Sequence, residues 1–244
     1  MSACYQIHRK DEKMIGIIVA EEKELEAVVE KMMKKQEEKV HELKFIKGIL
    51  AKKECIVVKS GGVGKVNAAR TVQILINNYN PEYIINVGSA GALNKDLNIG
   101  DVVIGKNMVQ YDFDLTAFGR KKGEINNVGR IINADEKLIN ACENVINTAF
   151  ENKENKVIIG TIATGDSFCT RIELKKEIIQ EFRADCVEME GAAIAQVCKL
   201  DNVPFVVIRS ISDKVDGSNQ IQFEEYLETA SKNCANFLER LMMV

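Results

Sequence analysis

Residues 14–20 (MIGIIVA) form a near-continuous apolar run, and comparable runs return at 83–87, 157–162 and 203–211. A strand apolar on both faces must be covered on both faces, which demands a parallel or mixed sheet held between helices. The intervening segments supply those helices. Residues 21–35 place Leu25, Val28, Val29 and Met32 on one stripe, 65–78 follow a glycine turn, 134–150 are amphipathic, 171–182 are charged, and 223–242 close the chain. Residues 45–51 and 55–59 read as a hairpin turning at Lys52-Lys53, 102–104 and 108–111 as two further strands, and 112–129 as a loop. Strands alternating with helices, without repeat or linker, predict one α/β domain over 14–244. Residues 1–13 are polar, lack the apolar centre of a signal peptide, and read as a poorly ordered N-terminal extension.

Composition removes several classes of function. A net charge of -3 offers no basic field to nucleic acid or anionic lipid, and no apolar run approaches a membrane span. The seven cysteines form no C-x-x-C pair and lie mostly in apolar segments, as small core residues of a reducing cytoplasm would. The two histidines, His8 and His41, stand in polar surroundings, so neither a histidine triad nor a metal site is expected.

The stretch Asp185-Cys186-Val187-Glu188-Met189-Glu190-Gly191 runs from a strand into a helix. Period-2 alternation sends Val187 and Met189 one way and Glu188 and Glu190 the other. Glu190 falls at the strand–helix junction, where the helix dipole favours an ionised carboxylate. Such a group accepts two hydrogen bonds, which a sugar diol can donate; the plainer alternative is a helix cap. Ser60-Gly61-Gly62-Val63-Gly64-Lys65 is not a Walker loop, because Lys59 stands where the first glycine is needed and Val66 where Ser or Thr is needed. Its glycines indicate close approach of backbone to something in a crevice. Ligands of such sheets collect at the strands' carboxyl ends. Those ends carry Glu24, Val63, Ser89, Phe168, Glu190, Ser212 and Asp213.

Seven ordered motifs then share one register. They are Gly16-Ile17-Ile18 with Glu24, Ser60 to Lys65, Asn86-Val87-Gly88-Ser89-Ala90-Gly91, Thr116-Ala117-Phe118-Gly119, Gly165-Asp166-Ser167-Phe168, Val187-Glu188-Met189-Glu190 and Arg209-Ser210-Ile211-Ser212-Asp213. Together they resemble the 5′-methylthioadenosine/S-adenosylhomocysteine nucleosidase family from Met14 to the C-terminus. The resemblance implies a cytoplasmic homodimer whose subunits are three-layer α/β/α sandwiches around a mixed, partly barrel-like sheet. It implies hydrolysis of the bond between adenine N9 and ribose C1′ in methionine salvage, with no cofactor and no metal. Asp213 is then the general acid at adenine N7, supported by Ser212. Glu24 positions the attacking water with Ser89 and Arg209. Met189 and Glu190 hold the ribose, Phe168 stacks near adenine, and the backbone of Phe168 and Cys169 reads its edge. Val63 and Phe223 line the pocket for the 5′-thio group. Glu188, Cys186 and Asp166 keep structural roles.

The chemistry agrees with that assignment. Glycosidic cleavage develops positive charge on the sugar and negative charge on the departing base, so it suits two acidic groups in opposed environments. Holding an Asp half protonated at pH 7, against an ordinary value of about 3.9, costs about 4 kcal/mol. The chain departs from the family pattern at Glu21, where Met is usual, and at Arg120, where Tyr is common. The rival functions are a phosphorylase of the same fold, an aminofutalosine or futalosine hydrolase, and a nucleoside-binding protein without turnover.

Overall fold

In the computed structural model, residues 14–148, 155–214 and 219–244 are described. Strand β1 (Ile15–Val19) is buried along its whole length because it is central, pairing in parallel with β4 (Lys53–Lys59) on one side and β5 (Tyr83–Ala92) on the other. Alternate residues serve opposite layers, as the pleat requires. Ile17, Val57 and Ile85 pack toward α1 (Glu22–Glu30), α3 (Glu136–Val145) and α6 (Asn219–Leu241). Ile18, Ile56 and Ile84 pack toward α2 (Lys65–Tyr79) and α5 (Gly191–Leu200). These are the three layers that the apolar runs demanded.

Beyond β5 the sheet curls closed. β5 pairs with β10 (Phe205–Lys214), β10 with β6 (Val102–Gln110), β6 with β8 (Val157–Thr164), β8 with β9 (Cys186–Glu188), and β9 returns to β5. Closing the ring leaves none of its five strands as an edge. A smaller core, with Ile178 of α4 (Ile172–Phe182), Val109 and Val187, fills the flank of that ring.

The opposite limb is a meander of β4, β3 (Leu43–Leu50) and β2 (Met33–Val40). β2 was not anticipated. Its sequence, MKKQEEKV, is exposed almost throughout, so it has no apolar period to read, and α1 stops at Glu30 rather than 35. Ion pairs Lys44–Glu37 and Lys47–Glu38 tie this charged edge to β3. The β3–β4 turn falls at Ala51 and Lys52, one residue earlier than expected, with both residues at positive φ. The segments 102–104 and 108–111 are one strand, bulged between Gly105 and Asn107, and a short β7 (Ile132–Asn133) adds to its edge. A 3-10 turn, Thr116–Phe118, interrupts the loop expected over 112–129. The proposed extension 1–13 and the expected end of α3 at 149–150 lie outside the described residues.

Candidate active site

The ring of strands opens onto a cavity of about 270 Å³. Every residue expected at the site lines it: Glu24, Val63, Ser89, Phe168, Cys169, Met189, Glu190, Arg209, Ser212, Asp213 and Phe223. Two of the expected strand ends were misplaced. β5 continues through Ser89 to Ala92, and β10 through Asp213 to Lys214, because both strands bend into the ring. The β10–β5 register slips between Ile211 and Asp213. That bulge lets adjacent Ser212 and Asp213 both line the cavity, which a regular strand forbids.

Glu24 stands in the first turn of α1 and is only 3% exposed. Its Oε2 accepts the backbone N–H of Ala20 at 2.9 Å and of Glu21 at 3.0 Å, which anchors the carboxylate to its own helix start. Its Oε1 accepts both the backbone N–H and the hydroxyl of Ser89, at 2.9 and 3.1 Å. Capping and site-building are therefore one act. Gly88 makes the approach possible: a Cβ there would lie 3.0 Å from Glu24 Oε1 and 3.2 Å from Arg209 Nη1.

Arg209 is 1% exposed on β10, and four of its five N–H donors are engaged within the protein. Its Nε and Nη2 both donate to Glu188 Oε2, Nη2 also donates to Asn86 Oδ1 at 2.6 Å, and Nη1 donates to the Ile208 carbonyl at 3.2 Å. Burial opposes its charge, but Glu188, Glu190 and Glu24 outweigh that and raise its pKa further. Glu188 also accepts the Thr164 hydroxyl and the backbone N–H groups of Glu190 and Gly191, at 3.1 and 2.7 Å for the last two. It thus caps α5 and pins Arg209 at once. Removing one member of such a buried pair costs about 3–5 kcal/mol.

Glu190, the N-cap of α5 by position, makes no capping bond with its side chain. Its Oε1 instead accepts the backbone N–H of Gly64 at 2.8 Å. The glycine loop, with Gly64 at φ 104°, thus delivers a donor to a carboxylate rather than to a phosphate. Asp166 holds the same loop by accepting the Lys65 N–H at 2.7 Å, and a Cβ on Gly64 would lie 2.9 Å from Asp166 Oδ1. The expectation that Glu190 is ionised is not met. Burial, then the neighbouring Glu188 carboxylate, push it up to about 8 against the pull of Arg209. The α5 dipole is too weak to offset removal from water. The strict alternation expected over 187–190 fails too: β9 ends at Glu188, and all four side chains line the cavity.

On the facing wall the Ser212 hydroxyl donates to Asp213 Oδ1 at 2.8 Å, and Asp213 is 2% exposed. Burial, then Asp213, push the neighbouring Cys169 thiol up to about 11, so it stays neutral. Phe168 meets Phe223 edge to face, with centroids 5.5 Å apart, at the apolar end. Arg120 lies outside this cavity and pairs with Glu124 at 3.2 Å. Among the described residues no group of three or more His, Cys, Asp or Glu side chains could hold a metal ion.

This arrangement has close relatives. A family model described as the phosphorylase superfamily matches residues 14–242. A 5′-methylthioadenosine/S-adenosylhomocysteine nucleosidase of Staphylococcus haemolyticus is 41% identical over 232 residues, covering 95% of this chain and all of that protein. The chain belongs to this nucleosidase family. The Neisseria meningitidis nucleosidase, solved with methylthio-immucillin-A, superposes with a TM-score of 0.90 at 36% identity, over 95% of this chain and 99% of the other. Futalosine hydrolase of Helicobacter pylori superposes at 0.88 and 34% identity, over 94% and 97%. The fold expected from the resemblance, a helix-covered mixed sheet closing into a barrel, is the one found. Membership alone did not reveal Gly88 as the spacer between Glu24 and Arg209, or Glu188 as the clamp on Arg209. Gly88 carries no side chain to signal a role, and Glu188, on the same face as Glu190 in the expected alternation, was assigned only a structural role.

Proposed function

We propose that the chain hydrolyses the N9–C1′ bond of 5′-methylthioadenosine and S-adenosylhomocysteine, releasing adenine and the thioribose product. The observation that carries this reading is the state of Arg209. Four of its five N–H donors are committed to Glu188, Asn86 and Ile208, which leaves no pair of donors free, while Glu24, Glu188, Glu190 and Asp213 crowd the same cavity. A phosphate dianion finds no free guanidinium fork there, whereas water and a cationic sugar find acceptors. Asn86 also stands where related phosphorylases carry an Arg, and its amide bridges Arg209 to the Ile18 carbonyl at 2.9 Å.

The geometry supports the following roles. Asp213 gives its proton to adenine N7 as the C1′–N9 electron pair moves onto the base. Glu24, held by Ser89, orients the water whose oxygen bonds C1′, and accepts its proton. Glu190 and Met189 hold the ribose; a diol donating to Glu190 favours its ionised form, so binding draws the proton off. Phe168 stacks near the base, the Cys169 backbone reads its edge, and Val63 and Phe223 enclose the 5′-thio group.

Free adenine appearing from methylthioadenosine tests the assignment; adenine nucleoside bound but unchanged would favour the non-catalytic rival. The similarity to futalosine hydrolase supports aminofutalosine as a second substrate to assay. We place the protein in the cytoplasm, in methionine salvage, as a homodimer. The six cysteines among the described residues are free and buried, which suits a reducing compartment, and no helix among those residues is long and apolar enough to cross a membrane. Phe118, 81% exposed, and Ile221, 70% exposed, offer apolar surface for a second subunit to cover.

A further inference from the structure

Lys65 follows the glycine loop where a phosphate-binding loop also carries a lysine, yet its side chain does not line the active-site cavity. Its Nζ donates instead to Asp112 Oδ1 at 2.7 Å and to Gln110 Oε1 at 3.4 Å. Asp112 Oδ2 accepts the backbone N–H of Asp166 at 2.9 Å, and Asp166 Oδ1 accepts the backbone N–H of Lys65 at 2.7 Å. The three residues close a ring of hydrogen bonds that holds Lys65 by its ammonium and by its backbone. Both side chains of the Lys65–Asp112 pair are mostly buried, so solvent screens it less than a surface pair.

The sheet explains why these residues meet. β6 and β8 run parallel with Gln110 opposite Thr164, so the two chains leave the sheet at one level, and Asp112 and Asp166 each follow two residues later. Between them the buried Tyr111 donates its hydroxyl to the Ser167 carbonyl at 3.2 Å, and its ring fills the space that a Cβ on Gly165 would need. The ring of bonds ties two walls of the cavity together. One wall is the glycine loop, with Val63 and with Gly64, whose N–H reaches Glu190; the other is the segment that carries Phe168. Val63 and Phe168 are the two large apolar residues of the lining that are exposed. Glu24 and Asp213 are carried by α1 and β10 instead.

We propose that Asp112 is a positioning residue: it latches the glycine loop to the Phe168 segment and so keeps the Gly64 N–H on Glu190. A carboxylate suits the task because its two oxygens serve two segments at once, an ammonium on one side and a backbone N–H on the other. Asp112 lies outside the cavity lining, so it acts on the binding of ribose and base through the two loops. Opening the latch weakens ground state and transition state alike, which raises KM and spares kcat.

The test has two arms, both on the full-length chain. In hydrogen exchange read by mass spectrometry, Asp112→Ala should speed exchange about tenfold over both 61–65 and 165–169. Lys65→Met should do the same over 165–169, although it alters only the other loop. In steady-state kinetics on methylthioadenosine, each variant should raise KM about tenfold with kcat within about twofold, and the double variant should raise KM no further, because both break one ring. Asp112→Asn, which keeps the shape without the charge, should move both readouts in the same direction, and Lys65→Arg, which keeps the cation, should leave them near wild type. A lowered Tm with unchanged KM and unchanged exchange over the opposite loop would overturn the latch. The exchange arm needs no substrate, whereas the kinetic arm rests on the nucleosidase reading; an unsubstituted protein that released no adenine would count against that reading alone.

Discussion

Two carboxyl groups in one cavity are set apart by their partners. Asp213 has the Ser212 hydroxyl on Oδ1, whereas Glu24 accepts three backbone N–H groups and a hydroxyl. Those donors fix the orientation of the Glu24 side chain at the cavity wall. Asp213→Asn should lower turnover at least about a hundredfold, the scale of general-acid loss, with adenine binding retained. Near-normal turnover of the purified variant would remove Asp213 from the acid role. Glu190 gives a prediction in pH. Its carboxyl, raised from 4.5 to about 8, keeps in the folded state a proton that the unfolded chain loses. The stability this contributes is complete below the unfolded value and is lost as pH rises through the folded one. Glu190→Gln should therefore flatten the fall in Tm between about pH 5 and about pH 8. An unchanged slope would show that another group titrates there.

At the level of elements, the glycine loop is the joint between two halves of the site. Gly64 has a backbone conformation that L side chains rarely adopt and no room for a Cβ, yet its N–H must reach Glu190. Gly64→Ala should cost about 1–3 kcal/mol of stability and raise KM more than it lowers kcat, read from thermal melts and steady-state kinetics. A variant with wild-type KM would mean that the loop is not coupled to ribose binding. The elements themselves were legible to different degrees. β1 and the core of β10 were plain because a strand covered on both faces leaves an unbroken apolar run. β2 was invisible because an edge strand reading MKKQEEKV has no apolar face. The bulge at Ile211 was hidden as well, since it depends on how β10 joins two neighbours, not on its own residues. Site residues could be named from motifs, but the closing of the ring that brings them together is a long-range fact.

On the scale of the molecule, the sheet divides its labour. Its open limb of β1 to β4 carries Glu24 and the glycine loop, and its closed ring carries Ser89, Glu190, Arg209 and Asp213. The proposed dimer belongs to this scale, because large apolar side chains such as Phe118 remain on the surface of one subunit. Phe118→Asp should convert a species of twice 27.2 kDa into one of 27.2 kDa in sedimentation velocity. A wild-type protein sedimenting as a monomer would contradict the dimer. The account's central claim is that water, not phosphate, attacks C1′. Its most direct measurement is the rate of adenine release from methylthioadenosine across a phosphate titration that starts from phosphate-free buffer, with the sugar product identified by mass spectrometry. Adenine release at full rate without phosphate, with free thioribose as the co-product throughout, is the predicted result. A rate that rises in proportion to phosphate and yields a thioribose 1-phosphate would contradict it.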